Sequence, residues 1–535
     1  MRNLLLLLVL GISMSAAAQE SSSAPDVILL RGHIFTADPA NPWAQAVAIK
    51  GQRIVAVGAS DTIERLADKH TNVIALRGRV VIPGLNDAHY HQSPMPQHFA
   101  LQIDPMTAKW PQVEAALAGA IDETPASIWI VGTIGPRVLL DPAVTRATLD
   151  KAAPGRKVLL REFTGHGVIC SSAALKALKI GDDQQDPVGG RFERDANNVI
   201  DGKVFEYADY GFVSRPLAES VSDEEAVDQL RAEADLALHY GITSMQNMSL
   251  LTAPRYERIA RAANVPLRIR IIHWPFTTPS ARLTDGATLK KNDPARPLVT
   301  VSGTKWILDG TPVERGAALR NPYEANGGSG TLNFTEPELV KMLKESVAAN
   351  DQILLHAVGD AAANEVFTAM KESGIDWSAR RLRIEHGDGL LPDLIPTAHD
   401  LGVVVVINPT HLAARGLYPP GDYMPMQTLL KNGIPLAIGS DGDLNPFLNI
   451  MLAVDQRHEN LTREEAVIAY TRGSAYAEFA EKEKGSIEVG KLADLAVLSQ
   501  DIFGVHLDQL PATKSVLTMV NGEIVFNDIE SDARR

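Results

Sequence analysis

A single cysteine, Cys170, occurs in 535 residues, so the chain can form no internal disulfide. Stability must then come from buried apolar surface and from any bound metal. A lone thiol usually packs as a small apolar group, which makes Cys170 a weak candidate nucleophile. No G-x-S-x-G occurs, which argues against a serine hydrolase with a nucleophile elbow. P-loop and dinucleotide fingerprints are also missing. Positive charge is scarce: 51 Lys and Arg face 65 Asp and Glu, for a formal net charge of −14. Such a balance is poorly suited to binding nucleic acid or an anionic membrane. Long apolar runs are absent apart from Leu4 to Ile12, which is too short to span a bilayer. With Arg2 before it and Ala16-Ala17-Ala18 after it, that run reads as an export signal over 1–18, cleaved after Ala18. No cysteine stands directly after the cleavage point, where Gln19 lies, so a lipid anchor is not expected there. A periplasmic or secreted protein is expected, with no periodic repeat or low-complexity tract.

What is present suits a soluble enzyme, with 45% hydrophobic and 22% charged residues. In Val80-Val81-Ile82-Pro83-Gly84-Leu85-Asn86-Asp87-Ala88-His89-Tyr90-His91, two imidazoles sit two residues apart at the end of an apolar run. On a strand that spacing puts both rings on one face, as a metal pair requires. Alone the pattern is weak, because two surface histidines would look the same. It gains weight from the other polar groups placed at the ends of short apolar runs. His356 follows Gln352-Ile353-Leu354-Leu355, His386 follows Leu382-Arg383-Ile384-Glu385, and Asp441 follows Leu436-Ala437-Ile438-Gly439-Ser440. Lys305 lies inside Val299 to Leu308.

Eight β-like runs alternate with helical patterns: Val80–His91, Gly241–Asn247, Leu267–Trp274, Val299–Leu308, Gln352–Val358, Leu382–His386, Val403–Asn408 and Pro435–Asp441. Helices are expected over Glu224–His239, Glu336–Ala349 with Thr335 as N-cap, Ala361–Glu372 and Met426–Lys431. Eight strands alternating with helices predict a closed (β/α)8 barrel of TIM type. Active sites of that fold sit at the C-terminal strand ends, so His89, His91, Lys305, His356, His386 and Asp441 converge on one mouth. We expect the barrel over 80–484, with an insertion at 94–215 between strands 1 and 2 that forms part of the substrate pocket. Segments 19–79 and 485–535 are expected to pair into one small, discontinuous β-sandwich.

The chain resembles the amidohydrolase superfamily, specifically the amidohydrolase-3 branch that includes N-substituted formamide deformylase-like enzymes. The matching pieces are Pro83-Gly84-x-x-Asp87-Ala88-His89-x-His91, Gly165-His166, Lys305-x-x-x-Asp309-Gly310, His356-x-x-Gly359-Asp360, Arg383-Ile384-Glu385-His386, Gly439-Ser440-Asp441 and Gly490-Lys491-Leu492-Ala493-Asp494-Leu495. Together they cover nearly the whole mature chain. The resemblance implies a metal-dependent hydrolase barrel with a flanking sandwich. It implies that His89, His91 and Asp441 bind one divalent ion and that His356 and His386 bind a second, zinc being the expected metal. Lys305 is implied to bridge them as a carboxylated lysine, since a plain ammonium has no lone pair; a single-metal site is the alternative. Two ions about 3.5 to 4 Å apart would share a hydroxide, the implied nucleophile. Asp441 would accept the proton of the attacking water and pass it to the leaving amine. Asp443 is its rival, and a helix cap is the plainer role for Asp441.

His166 matches the family's pocket histidine and is implied to contact the substrate carbonyl or oxyanion; a structural histidine is the alternative. Arg315 is a second substrate-binding candidate, able to pair with an anionic group, against the plainer alternative of a surface salt bridge. Asn247, Cys170 and the segment Asp309 to Gly316 depart from the family pattern near the pocket, and so bear on substrate identity. The expected reaction is hydrolysis of a non-peptide, amide-type C–N bond in a small molecule. A deaminase, a lactonase or esterase, or an acyl-amino-acid peptidase would suit the same scaffold. A non-catalytic metal- or ligand-binding exported protein is the reading from another class. No partner beyond a small-molecule substrate is expected, and self-association into a homo-oligomer is left open.

Overall fold

A computed structural model describes residues 24–275, 298–324, 328–418, 421–455 and 459–529. The expected export signal, 1–18, lies outside the described residues. The centre of the molecule is a sheet of eight strands: Leu85–Tyr90, Ile242–Asn247, Arg268–His273, Val299–Ile307, Ile353–Ala357, Arg383–His386, Val404–Ile407 and Leu436–Ile438. Each pairs with the next in chain order, and every pair is parallel. The ring is nearly closed where the last strand meets the first. There the Asp441 amide donates to the His89 carbonyl at 3.0 Å, and the Ser440 amide donates to Asp87 Oδ1 at 3.0 Å. This is the (β/α)8 barrel the alternation predicts. Val404–Ile407 is buried along its whole length, as a barrel wall covered on both faces requires.

The helices between strands start where capping chemistry marks them. Ser222 Oγ accepts from the Glu225 amide at 3.2 Å ahead of Asp223–His239. Glu338 accepts from the Thr335 amide and hydroxyl, each at 2.8 Å, ahead of Glu336–Ala348.

One expected strand is in fact two. Val80–Pro83 belongs to a different sheet from Leu85–Tyr90, and the chain crosses between them at Gly84. The Gly84 amide donates to Asp494 at 2.9 Å, whereas the Leu85 amide donates to Gly241 at 3.0 Å. A Cβ on Gly84 would collide with the Thr243 side chain, so no larger residue fits this crossing. His91 consequently lies just past the end of the first barrel strand.

Val80–Pro83 pairs antiparallel with Leu495–Leu498, which joins segments from the two ends of the chain in one six-stranded sheet. A four-stranded sheet that includes Val27–Leu30 and Ala46–Lys50 packs against it through Leu29, Val47, Val81, Leu495 and Leu517. Between the first two barrel strands, a separate six-stranded sheet includes Val158–Glu162, Gly167–Cys170 and Ile200–Glu206. Its own core contains Ile130, Leu160, Ile169 and Phe205. This sheet delivers Glu162, His166 and Glu206 to the barrel mouth.

Candidate metal centre

The six residues expected at the strand ends do meet. His89 Nε2 is 3.1 Å from His91 Nε2, and Lys305 Nζ is 2.9 Å from the first and 3.5 Å from the second. Asp441 Oδ1 lies 3.6 Å from His89 Nε2 and 3.4 Å from His91 Nε2, and Asp441 Oδ2 is 3.8 Å from His386 Nδ1. The His356 and His386 ring centroids are 4.4 Å apart. His386 (φ 72°) and Asp441 (φ 46°) both hold left-handed backbone, a conformation non-glycine residues adopt at a cost.

The outward nitrogens explain why the inward ones are available. His89 Nδ1 faces Glu385 Oε2 at 2.6 Å, and His91 Nδ1 faces the Met248 carbonyl at 2.8 Å. His386 Nδ1 faces Asn408 Oδ1 at 2.9 Å, an orientation fixed because Asn408 Nδ2 donates to Gly439. All three partners accept, so the proton of each neutral ring belongs on Nδ1, and for His89 and His91 the Nε2 lone pair points inward. Two such lone pairs 3.1 Å apart on His89 and His91 repel unless a cation, the Lys305 ammonium or a metal ion, faces both. His356 adds a related sign: its Nδ1 is buried and makes no hydrogen bond. The ligand atoms of His89, His386 and Asp441 all lie within 4.8 Å of one another. This donor set fits a divalent metal ion.

Burial, and then Lys305, lowers the His89 and His91 imidazoles, His91 to about 3. Burial, followed by neighbouring imidazoles, holds His356 and His386 well below their ordinary value. The rings are therefore neutral and ready to ligate. Burial also lowers Lys305 to about 8, against the pull of Asp441. For Asp441 burial acts upward, yet His89, His411, His91 and His386 hold its carboxyl well below the usual range.

Several contributors escape sequence reading. Glu385, which orients His89, is itself clamped by Arg383 at 2.8 and 2.9 Å. His411 Nε2 lies 3.4 Å from Asp441 Oδ2 while its Nδ1 faces Asp388 at 3.1 Å. Burial opposes charging of His411, but Asp388 and Asp441 raise it to about 10. It sits just past the seventh barrel strand, so the strand-end rule that singled out the other histidines would have found it too. Asp309 accepts from the Val358, Gly359 and Ala318 amides at 3.0, 2.8 and 2.9 Å, which pins the turn after His356.

The centre opens into a cavity of about 320 Å³ walled by Phe163, His166, Tyr210, Leu250, Trp274 and Arg161. His166 Nδ1 faces Glu206 Oε1 at 3.0 Å and the Tyr210 hydroxyl at 2.9 Å. Burial opposes its charge, but Glu206 raises it to about 9. Arg315 does not reach the cavity: its side chain is 50% exposed and pairs with Glu324 at 2.7 Å. The turn after Asp309 directs Glu314 inward to Thr311 and Arg315 outward. An arginine in the cavity wall is instead Arg161, held by Asp209 at 2.9 Å and Ser214 at 2.6 Å. Asp443 is exposed and caps a turn by accepting from the Asn445 amide. Asn247 binds the Gln92 backbone through both ends of its amide. Cys170 is buried, and burial pushes its thiol up, away from nucleophilic character.

Among known proteins, the chain is 27% identical to Protein LONG AFTER FAR-RED 3 of Arabidopsis thaliana, covering 94% of this chain and 91% of that one. It is 24% identical to N-substituted formamide deformylase of Arthrobacter pascens, over 94% and 98% of the two chains. Its fold superposes on an uncharacterized metal-dependent hydrolase from Pyrococcus horikoshii OT3 with a TM-score of 0.70 at 18% identity. That match covers 90% of this chain and 99% of the other. The model of the amidohydrolase family matches residues 72–526, so the chain belongs to the amidohydrolase family.

Proposed function

We propose that the chain is a metal-dependent hydrolase that cleaves an amide-type C–N bond, outside peptides, in a small molecule. The observation that carries this reading is the set of neutral imidazoles and one ionised carboxylate at the floor of the cavity. A relative named for deformylation of N-substituted formamides supports the C–N bond as target. In this reading His89, His91 and Asp441 hold one ion and His356 and His386 a second, with zinc suited to the imidazole-rich set. Bound there, the metal supplies Lewis-acid polarisation of the substrate carbonyl and lowers the pKa of water toward neutrality.

The remaining work falls to side chains. Lys305, buried and lowered to about 8, has a larger neutral fraction at neutral pH than an ordinary lysine, and the neutral amine is the form that adds CO2. Addition of CO2 to that neutral amine forms an N–C bond and releases one proton; counted from the ammonium two protons leave, and a cation becomes a carboxylate that would help to hold the metal. Asp441 accepts the proton of the attacking water and delivers it to the leaving nitrogen, with His411 fixing its second oxygen. With Nδ1 engaged by Glu206 and Tyr210, His166 turns Nε2–H to the oxygen on which charge develops. Phe163, Leu250 and Trp274 exclude water around the reacting group.

Export, with cleavage after Ala18, belongs to the same reading. N-terminal sequencing of protein from a secreting host is expected to begin at Gln19. The catalytic proposal is tested by screening N-formyl amines, N-acyl amino acids, cyclic imides, lactones and aminated bases with metal-loaded and chelator-stripped protein. Metal-dependent release of an amine is expected; turnover confined to lactones or to aminated bases would overturn it.

A further inference from the structure

A second group of ligand-type side chains lies where the inserted sheet meets the turn after the fourth barrel strand. His166, Glu206 and Glu314 are buried, and their ligand atoms lie within 4.8 Å of one another. None of them belongs to the barrel-mouth set. Glu162 borders the group with no exposed surface, and it is close enough to His166 and Glu314 to perturb both electrostatically. Its Oε2 accepts from the Thr164 amide at 2.9 Å, while its Oε1 is buried with no hydrogen-bond partner. The Thr164 and Thr311 hydroxyls, 3.2 Å apart, link Glu162 to Glu314, whose Oε2 accepts from Thr311 at 2.5 Å.

Charge and space both point the same way. Among the described residues no lysine or arginine pairs with Glu162, Glu206 or Glu314, so three carboxylates share one imidazole. Fully ionised, the group keeps two uncompensated negative charges even beside an imidazolium, a costly arrangement in a buried site. One divalent cation, bound as the imidazole gives up its proton, leaves a single negative charge in place of two. The room is made by glycine: a Cβ on Gly310 would strike the Glu314 and Glu206 carboxylates, and one on Gly316 would strike Glu314. Glu206 reaches the group from left-handed backbone, φ 53°, another position where a non-glycine residue is strained.

We propose that His166, Glu206 and Glu314 form a second divalent-cation site, with Glu162 supplying a further oxygen donor. One imidazole among carboxylates suits an ion of the Mn2+ type, and no thiolate-seeking metal is favoured. The ion takes the place of the proton between His166 Nδ1 and Glu206. Because the His166 ring centroid is 4.6 Å from that of His356, the site adjoins the barrel-mouth centre and fixes His166 toward the cavity. The inference goes beyond the amidohydrolase reading and uses none of its ligands, so either can fail alone.

Crystals of the full chain grown with MnCl2 and measured at the manganese edge provide the test. An anomalous peak among His166, Glu206 and Glu314 is expected, separate from any at the barrel mouth. In solution, equilibrium dialysis should show the Glu206→Gln/Glu314→Gln double variant binding one Mn2+ equivalent fewer than wild type. Its barrel-mouth peak should persist. A wild-type crystal with Mn2+ at the barrel mouth and none at this cluster overturns the second site alone, as does an unchanged Mn2+ count in a folded double variant. A peak at the cluster with none at the barrel mouth supports the second site and weakens the amidohydrolase reading; crystals with neither peak overturn both.

Discussion

The barrel-mouth cluster and the insertion cluster stand on either side of the His356 and His166 rings, and burial acts on them in opposite senses. At the barrel mouth it keeps imidazoles neutral: His89, His91, His356 and His386 are all lowered. In the insertion cluster it pushes carboxyls up, raising Glu162 and Glu314, while Glu206 raises His166. Both follow from one rule, that low dielectric disfavours whichever form is charged. The difference lies in what the neighbours offer. Strand-borne imidazoles have acceptors behind them, Glu385, the Met248 carbonyl and Asn408, which set the tautomer. The carboxylates of the second cluster have hydroxyls and an imidazole and, among the described residues, no lysine or arginine paired with them. The first arrangement is preorganised for a metal; the second holds excess negative charge that protons or a metal must balance.

The largest effects should come from breaking the barrel-mouth side. His89→Ala and Asp441→Ala are each expected to lower kcat/KM by on the order of 10³-fold while circular dichroism stays unchanged. An Asp441→Ala enzyme with full activity would remove its proton-transfer role. Glu385→Gln keeps the shape but weakens the acceptor behind His89, and should cost about 10- to 100-fold in zinc affinity. Competition with a chromophoric chelator reads that loss, and an unchanged affinity would show that Glu385 does not orient the ring.

The barrel side of this comparison was legible in the sequence because most of its residues end short apolar runs. His89, His356, His386 and Asp441 all sit at or just beyond the C-terminal ends of barrel strands, where period-2 and period-3.6 patterns change over. Lys305 stood out as a charged residue inside an apolar strand. The break at Gly84 was not legible, because Val80-Val81-Ile82-Pro83 reads as continuous with the following strand until Asp494 and Gly241 claim opposite sides of it. The insertion cluster was hidden for a different reason. Glu206 ends a strand of the inserted sheet and Glu314 lies in a barrel loop, so only tertiary folding unites them. Arg315, one residue from Glu314, was a candidate by position, but the turn reverses which of the two faces inward.

The opposite pKa shifts should appear as opposite limbs of a stability profile in metal-free protein. Histidines lowered on folding contribute stability that is present above their unfolded value of 6.5 and lost as pH falls below it. His166, raised to about 9, contributes stability that is present below 6.5 and lost as pH rises through 9. The raised carboxyls of Glu162 and Glu314 act in the same direction, binding protons in the folded state above their unfolded value of 4.5. Tm measured from pH 5 to 9 should therefore fall toward both ends. His91→Ala should flatten the acid limb, and Glu314→Gln the alkaline one. If Glu314→Gln leaves the alkaline limb unchanged, the burial of that carboxylate is not what limits stability there.

The smallest effect sharpens the boundary of the cavity. Arg161 and Arg315 are both arginines paired with a carboxylate, at 2.9 and 2.7 Å. Yet Asp209, the partner of Arg161, is fully buried, whereas Glu324, the partner of Arg315, is 66% exposed. Arg161→Ala leaves a buried carboxylate without its cation and removes part of the cavity wall, so a stability loss on the order of 2 kcal/mol and a raised KM are expected. Arg315→Ala removes an exposed pair that water replaces, and stability should stay within about 0.5 kcal/mol of wild type with kcat and KM unaltered. Urea denaturation and steady-state kinetics on the two variants decide the matter. A rise in KM for Arg315→Ala with none for Arg161→Ala would return the substrate-binding role to Arg315 and require its turn to fold inward when substrate binds.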